Sequence, residues 1–376
     1  VIKGILEIIP NDGKNPFQVI AGASAGAINS TFMAAHANRP RIGIRRLEQA
    51  WSTLHVSRIY RVGWPGLIKN TFRWIGQFLR SSGAKRKPLS LFMNEPLREF
   101  LNGVIPFEKI DKNIVDGHLH AVSVTAFGYL SGDSVTFYQS VAEVSNWKRY
   151  HRVGIRHHIN VKHLMASSAI PIVFPAVKIN REYFGDGSVG FLSPISPSLH
   201  MGADKIVVIS IDKPDDFQET RPLQVNYPSI ADISGRLMDS VFTDSLEGDL
   251  ERLQRINATL KLIPEKTLKK KGTQLKHIDF LRFSPTIDVD ELATLHINSL
   301  PKLLRFFLNR VGITNGDSSN ILSYLLFEKS YTKELIQHGY EDAIKRRAEI
   351  LEFFTNNKEL PENTVPPSTV SPSDNI

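Results

Sequence analysis

Gly22-Ala23-Ser24-Ala25-Gly26 sets a serine between two glycines at the spacing G-x-S-x-G. A serine hydroxyl becomes a nucleophile toward an ester carbonyl once a neighbouring base takes its proton. The surroundings are FQVIAGASAGAINS, residues 17–30. Val19 to Ala21 is an apolar run that predicts a buried strand, and Ala25 to Ala37 is an alanine-rich run that predicts a helix. Strand, tight turn and helix make a nucleophile elbow. Such a turn is sharp, so side chains on the flanking glycines are expected to collide with the neighbouring strand and helix. The hydroxyl would then project at a helix N-terminus, where partial positive charge favours developing negative charge. The pentapeptide alone is a weak signal, since any small-residue turn packed on a strand reads the same way. The strand before it and the helix after it single out Ser24.

A base is the second requirement. Three Asp-Gly pairs are candidates: Asp12-Gly13, Asp116-Gly117 and Asp186-Gly187. Each is the composition of an ordinary turn. Asp186 stands apart in REYFGDGSVG, where it follows a strand and small neighbours let its carboxylate approach another loop.

The elements that must position these groups alternate over residues 1–211. Strands are predicted over 19–21, 120–127, 134–139, 176–179 and 205–211. Helices are predicted over 25–37, 44–54, 65–79, 96–101 and 161–167. Residues 205–211 are continuously apolar, as in a parallel strand covered on both faces. Residues 120–127 and 134–139 flank a Gly/Ser/Asp turn and read as a hairpin. The expected class is α/β, with helices on both sides of a mixed sheet. From residue 228 the pattern becomes helical over 229–262, 299–309 and 318–354, and residues 356–376, rich in Pro, Ser, Thr and Asn, read as a disordered tail. The expected division is a core over 1–227, a helical region over 228–355 packed on it, and that tail.

In several blocks of sequence, taken in order, the chain resembles the patatin-like phospholipases. Gly22 to Gly26 matches the nucleophile motif. Ala166-Ser167-Ser168-Ala169-Ile170-Pro171-Ile172-Val173-Phe174-Pro175-Ala176 matches the family's Ala-Ser-x-Ala-x-Pro-x-x-Phe-x-Pro segment. Asp186-Gly187-Ser188 matches its Asp-Gly-Gly/Ala motif, with serine in third place, and Gly202-Ala203-Asp204 is also family-like. The resemblance covers about the first 210 residues. It implies a three-layer α/β/α fold with a mixed, mostly parallel central sheet. It also implies a Ser–Asp dyad without histidine, in which Ser24 is the nucleophile and Asp186 the general base. No cofactor or metal is implied, and the substrates would be glycerophospholipids, lysophospholipids or related acyl esters. The family also carries a glycine-rich loop before the nucleophile whose N–H groups form the oxyanion hole. Nothing before Gly22 matches it, and Val1 to Ile9 is similar to the helix that follows that loop. The chain opens mid-helix without an initiator methionine, so the expectation is that it is the remainder of a longer one, weakly active or inactive by itself.

Composition bounds the alternatives. Of 376 residues 41% are apolar and 22% charged, as in an ordinary globular protein. No apolar run is long enough to span a bilayer. The absence of cysteine excludes disulfides, thiolate metal sites and cysteine nucleophiles. The net charge of +8 favours anionic partners, an anionic membrane surface above all; no nucleic-acid recognition module is present. Two other readings compete. One is a catalytically inactive lipid-binding or regulatory protein on the same fold, which the unmatched glycine loop favours. The other is an α/β-hydrolase esterase with a Ser-Asp-His triad, for which His200 or His277 would have to serve. His157-His158 lacks a ligand-spaced partner. The expected location is cytoplasmic and peripheral to a membrane, with a signal peptide left open by the abrupt start.

The membrane candidate is WPGLIKNTFRWIGQFLRSSGAKRK, residues 64–87. Leu67, Ile68, Phe72, Ile75 and Leu79 share a helical face, Lys69, Arg73, Arg80, Lys85, Arg86 and Lys87 supply charge, and Trp64 and Trp74 suit an interface. An ordinary surface helix packing its apolar face on the core has the same pattern. Lys85→Glu/Arg86→Glu/Lys87→Glu is expected to weaken co-sedimentation with anionic vesicles strongly; binding equal to wild type would assign the segment to the ordinary surface.

Overall fold

A computed structural model describes residues 1–61, 90–190, 193–211, 244–264, 267–268, 275–311 and 319–355. The helix expected over 65–79, the membrane candidate over 64–87, the first part of the 229–262 pattern and the tail lie outside these residues.

Seven strands form one sheet: β1 (Val19–Ala23), β2 (Ala121–Gly128), β3 (Ser134–Ser140), β4 (Trp147–Arg149), β5 (Arg152–Arg156), β6 (Val177–Ile179) and β7 (Glu182–Gly185). Their order is β4-β5-β3-β2-β7-β6, with β1 also on β2. The mixed sheet is as expected, but its parallel majority is not. Only β1–β2 and β3–β5 pair in parallel; β2–β3, β2–β7, β4–β5 and β6–β7 are antiparallel. The cause is local: short turns close hairpins at β2–β3, β4–β5 and β6–β7, and a two-residue turn can join only antiparallel strands. β4, β5 and β7 escape sequence reading because each is short and shows little alternation.

Both faces of β2 are covered. Val122 and Val124 join a core containing Ile28 and Phe32 of α2 (Ala25–Ala35) and Leu164 and Met165 of α6 (Val161–Ser167). Ala121 faces the other way with Tyr138, Trp147 and Met201, the last directly after α7 (Ser196–His200). The main core continues through Ile5 of α1 (Ile2–Ile8) and Leu47 of α3 (Pro40–Ser52). It also takes in Leu97 of α4 (Glu95–Val104) and Ile110 of α5 (Glu108–Val115).

The C-terminal stretch shares that core. It contains α8 (Asp244–Lys261), α9 (Val289–Leu295), α10 (Lys302–Val311), α11 (Ser319–Leu325), α12 (Lys329–Lys345) and α13 (Arg347–Thr355). Leu304, Leu322 and Ile350 belong to the same apolar cluster as Ile5. The 318–354 pattern is broken twice. Glu328 leaves the helix to accept the Val56 N–H and bond the His55 ring, and Arg346 leaves it to bond the Arg282 carbonyl and Glu349. A strand also appears in the region expected to be mainly helical, between the patterns over 229–262 and 299–309: β9 (Asp279–Phe283) pairs in parallel with β8 (Lys205–Ile209). The parallel pairing read for 205–211 is met by this partner, in a two-stranded sheet of their own, but the cover on both faces is not: burial alternates along β8, and Ile209 and Ile211 are exposed.

α1 lies on α12 at backbone distance. A Cβ on Gly4 would fall 2.6 Å from the Ala343 Cβ and 3.3 Å from the Tyr340 carbonyl. Gly4→Val is therefore expected to destabilise the protein by about 1–3 kcal/mol through overpacking. Urea unfolding measures it, and an unchanged midpoint would show that the two helices separate freely.

Candidate active site

β1 and β7 use the same edge of β2 and meet there end to end. β1 runs parallel to β2 and stops where Ala23 pairs with Thr125. β7 runs antiparallel and stops where Gly185 pairs with Phe127. Ser24 is one residue beyond the first strand and Asp186 one residue beyond the second, so both converge opposite Ala126. The Ser24 hydroxyl donates to Asp186 Oδ2 at 2.7 Å across 162 positions of sequence.

Ser24 is held in a conformation that side chains avoid. Its φ is 52° and ψ −127°, outside the basins of L-residues and worth about 1–3 kcal/mol of strain. It precedes α2 without capping it through its side chain, which leaves the hydroxyl for Asp186. Gly22 meets the steric expectation: a Cβ there would lie 2.1 Å from the Gly26 carbonyl oxygen. Gly26 does not, because a Cβ at that position would enter open space. The second glycine of the motif is the close neighbour of the first. Ala23 closes β1, and Ala25 and Gly26 are exposed at the head of α2, where the first N–H groups have no intrahelical acceptor.

A segment just past α6 brackets both residues. Ser167 Oγ accepts the Ser24 N–H at 2.9 Å and donates to the Thr125 carbonyl at 2.6 Å. Ser168 Oγ donates to the Ser24 carbonyl at 3.3 Å. On the other side, Asp186 N–H donates to the Ala169 carbonyl and Gly187 N–H to the Ser167 carbonyl, each at 3.0 Å. Gly187 must lack a side chain, since a Cβ would fall 1.9 Å from the Thr125 oxygen. Ser167 and Ser168 sit in the Ala-Ser-Ser-Ala block, which marks them by motif but carries no hint of these bonds. Tyr129 has no sequence signal at all. A Cβ on Gly185 would meet its phenol oxygen at 2.3 Å, which places the phenol beside Asp186.

Asp186 is fully buried. Burial raises its pKa from 3.8 to about 6, although the Ser188 N–H on Oδ1 (2.9 Å) and the Ser24 hydroxyl stabilise the carboxylate. The nearby charge also helps burial to push up the Tyr129 phenol. The remaining Asp-Gly pairs are elsewhere: Asp12 accepts the exposed Lys14 N–H, and Asp116 ends α5 against Lys112. The triad candidates are elsewhere too. His200 stacks on Trp147 and bonds the Ser196 carbonyl, and His277 pairs with Asp279.

The family model for patatin-like phospholipase matches residues 1–197, more than half of the 376. The chain belongs to the patatin-like phospholipase family. Family membership makes lipid acyl hydrolysis the general activity and a lipid ester the substrate class. A search of the curated proteins finds no match.

The buried carboxylate has a signature of its own. Its folded pKa lies above its unfolded value, so its contribution to stability is complete below about pH 4 and is lost as pH rises through about 6. A shift of about two units corresponds to at most about 3 kcal/mol. Asp186→Asn cannot ionise, so its stability relative to wild type is expected to rise from pH 4 to pH 8 by up to that amount. Urea unfolding at both pH values checks it; a pH-independent difference would overturn the assignment of a desolvated carboxylate with a raised pKa.

Proposed function

We propose that the protein cleaves the acyl esters of phospholipids or lysophospholipids through a Ser24–Asp186 dyad and an acyl-serine intermediate. The observation that carries this reading is the 2.7 Å hydrogen bond from the Ser24 hydroxyl to the Asp186 carboxylate. With a pKa of about 6, Asp186 is mainly ionised at neutral pH and still basic enough to take a proton.

In the first step Asp186 accepts the hydroxyl proton as Ser24 Oγ bonds to the ester carbonyl carbon. The tetrahedral intermediate collapses, the ester C–O bond breaks, and Asp186 passes the proton to the departing alcohol oxygen. Asp186 then takes a proton from water as the water oxygen attacks the acyl-serine, and returns it to Ser24 as the fatty acid leaves. The Ala25 N–H at the head of α2 is the candidate donor to the oxyanion. The Ser188 N–H holds the carboxylate, Gly187 ties its loop to the Ser167 carbonyl, and Gly22 keeps the elbow tight. Against the triad reading, its two named candidates bond other partners, His200 the Ser196 carbonyl and His277 the Asp279 carboxylate.

A silent lipid-binding protein on this fold would keep the Ser24–Asp186 contact and lose turnover. Peripheral attachment to an anionic membrane through residues 64–87 is part of the proposal and draws support from the +8 net charge.

Ser24→Ala is expected to lower hydrolysis of a soluble short-chain nitrophenyl ester by roughly 10³-fold or more and to cost about 1–3 kcal/mol of stability at neutral pH, since it removes one of the hydrogen bonds to the buried carboxylate. In wild type, kcat/KM should rise with pH and level off above about 6, because Asp186 must be ionised in the free enzyme. Equal rates for wild type and Ser24→Ala, or a rate falling as pH rises through 6, would overturn the dyad. These rates are to be read on the full-length protein, where no turnover with vesicle binding intact would favour the silent binder.

A further inference from the structure

Three hairpin turns crowd the same end of the sheet. β2 runs into the turn 129–133, β5 starts directly after Tyr150-His151, and β7 starts after Asn180-Arg181. The register puts them side by side, since Ser134 pairs with Arg152 and Gly128 with Phe184. Cross-bonds lock them together. The Ser134 N–H donates to the His151 carbonyl at 2.9 Å and the Tyr129 N–H to the Tyr183 carbonyl at 3.0 Å. Glu182 Oε1 accepts the Leu130 and Ser131 N–H groups at 2.9 and 2.7 Å. Left-handed backbone at His151 (φ 49°) and Asn180 (φ 54°) keeps both short turns tight.

What these tips present is unusual for a solvated surface. Leu130 is 84% exposed and Tyr150 80%, with Tyr129 and Tyr183 about half exposed. Cations surround them: Arg149 and Arg181 are exposed, and Lys178 lies over the Tyr183 ring at 6.0 Å. The carboxylates at this end are engaged within the turns, Asp133 bonding the His151 ring and Glu182 capping the 129–133 turn. Apolar tips, tyrosines and cations together match a membrane interface, where aromatic rings settle at headgroup depth and basic groups meet anionic lipid.

The dyad is close behind. Gly128, the last residue of β2, lies about 10 Å along the strand from Thr125, which pairs with the end of β1. Tyr129 belongs to both places, with its backbone in the tip and its phenol over Gly185 beside Asp186.

We infer that the three tips form a docking surface for an anionic lipid bilayer, seating the Ser24–Asp186 end of the sheet on its substrate phase. The inference rests on the lipid-hydrolase reading for its logic, but its readout needs no turnover, so either can fail without the other. The rigid coupling of the three tips matters, because a docked surface delivers lipid to a fixed carboxylate and hydroxyl only if the two cannot move independently.

The test is co-sedimentation of the full chain with vesicles of phosphatidylcholine alone and with about 30% phosphatidylglycerol. Leu130→Glu/Tyr150→Glu is expected to weaken partitioning at least ten-fold on the mixed vesicles. Arg149→Glu/Arg181→Glu should weaken it on mixed vesicles only and reduce the salt dependence. Leu130→Trp, a substitution at an exposed position, should bind more tightly than wild type and add emission that shifts to the blue on vesicles. Wild type that ignores both vesicles overturns the inference. So do double variants that partition within two-fold of wild type, or added tryptophan emission that stays unshifted. A loss confined to Lys85→Glu/Arg86→Glu/Lys87→Glu would place attachment on residues 64–87 instead.

Discussion

Two strands share one edge of β2, and everything at the site follows from where each of them stops. β1 approaches in parallel and ends at Ala23; β7 approaches antiparallel and ends at Gly185. A sheet edge offers hydrogen bonds to only one neighbour at each position, so the two cannot overlap, and the residues after them are driven into the gap. Those residues are Ser24 and Asp186. The bracket from Ser167 to Ala169 fills the backbone hydrogen-bond needs that the interrupted ladder leaves open. It also fixes the spacing of hydroxyl and carboxylate from one rigid piece of chain.

The electrostatics of the gap are balanced between two demands. A carboxylate with no exposure is driven toward its neutral form, and a neutral acid cannot take a proton. The Ser188 N–H and the Ser24 hydroxyl hold Asp186 at an intermediate position, with a pKa of about 6. That value keeps the group ionised near neutral pH and more basic than a solvated aspartate. The strained backbone of Ser24 serves the same arrangement, since it turns the hydroxyl away from capping α2 and toward the carboxylate.

The C-terminal half does not form a separate layer of stability. α1 lies against α12 through Gly4 and Ala343, β8 pairs with β9, and Glu328 reaches back to Val56. Helices on both sides of position 228 contribute to one apolar cluster. The elbow, held between α2 and the sheet, therefore rests on a core to which both halves contribute.

Much of this was legible in order along the chain. The elbow was readable because strand, turn and helix follow one another within fourteen residues and their periodicities differ. α6 was readable at both ends, with Asn160 capping its first turn. The motif blocks of the resemblance named Ser24 and Asp186 without saying what brings them together. β7, β9 and the direction of most ladders were not legible, because four or five residues acquire strand identity only from the partner they pair with. Of the two glycines of G-x-S-x-G, Gly22 is required by contact, whereas Gly26 is not. Local sequence thus determined the elements and the types of the reactive groups, since hydrophobic period and turn chemistry are properties of neighbouring residues. Only the tertiary structure decided the 2.7 Å contact, the burial of Asp186 and its raised pKa. Those depend on desolvation and on strand ends 162 positions apart, and no local pattern encodes where two distant strands will stop.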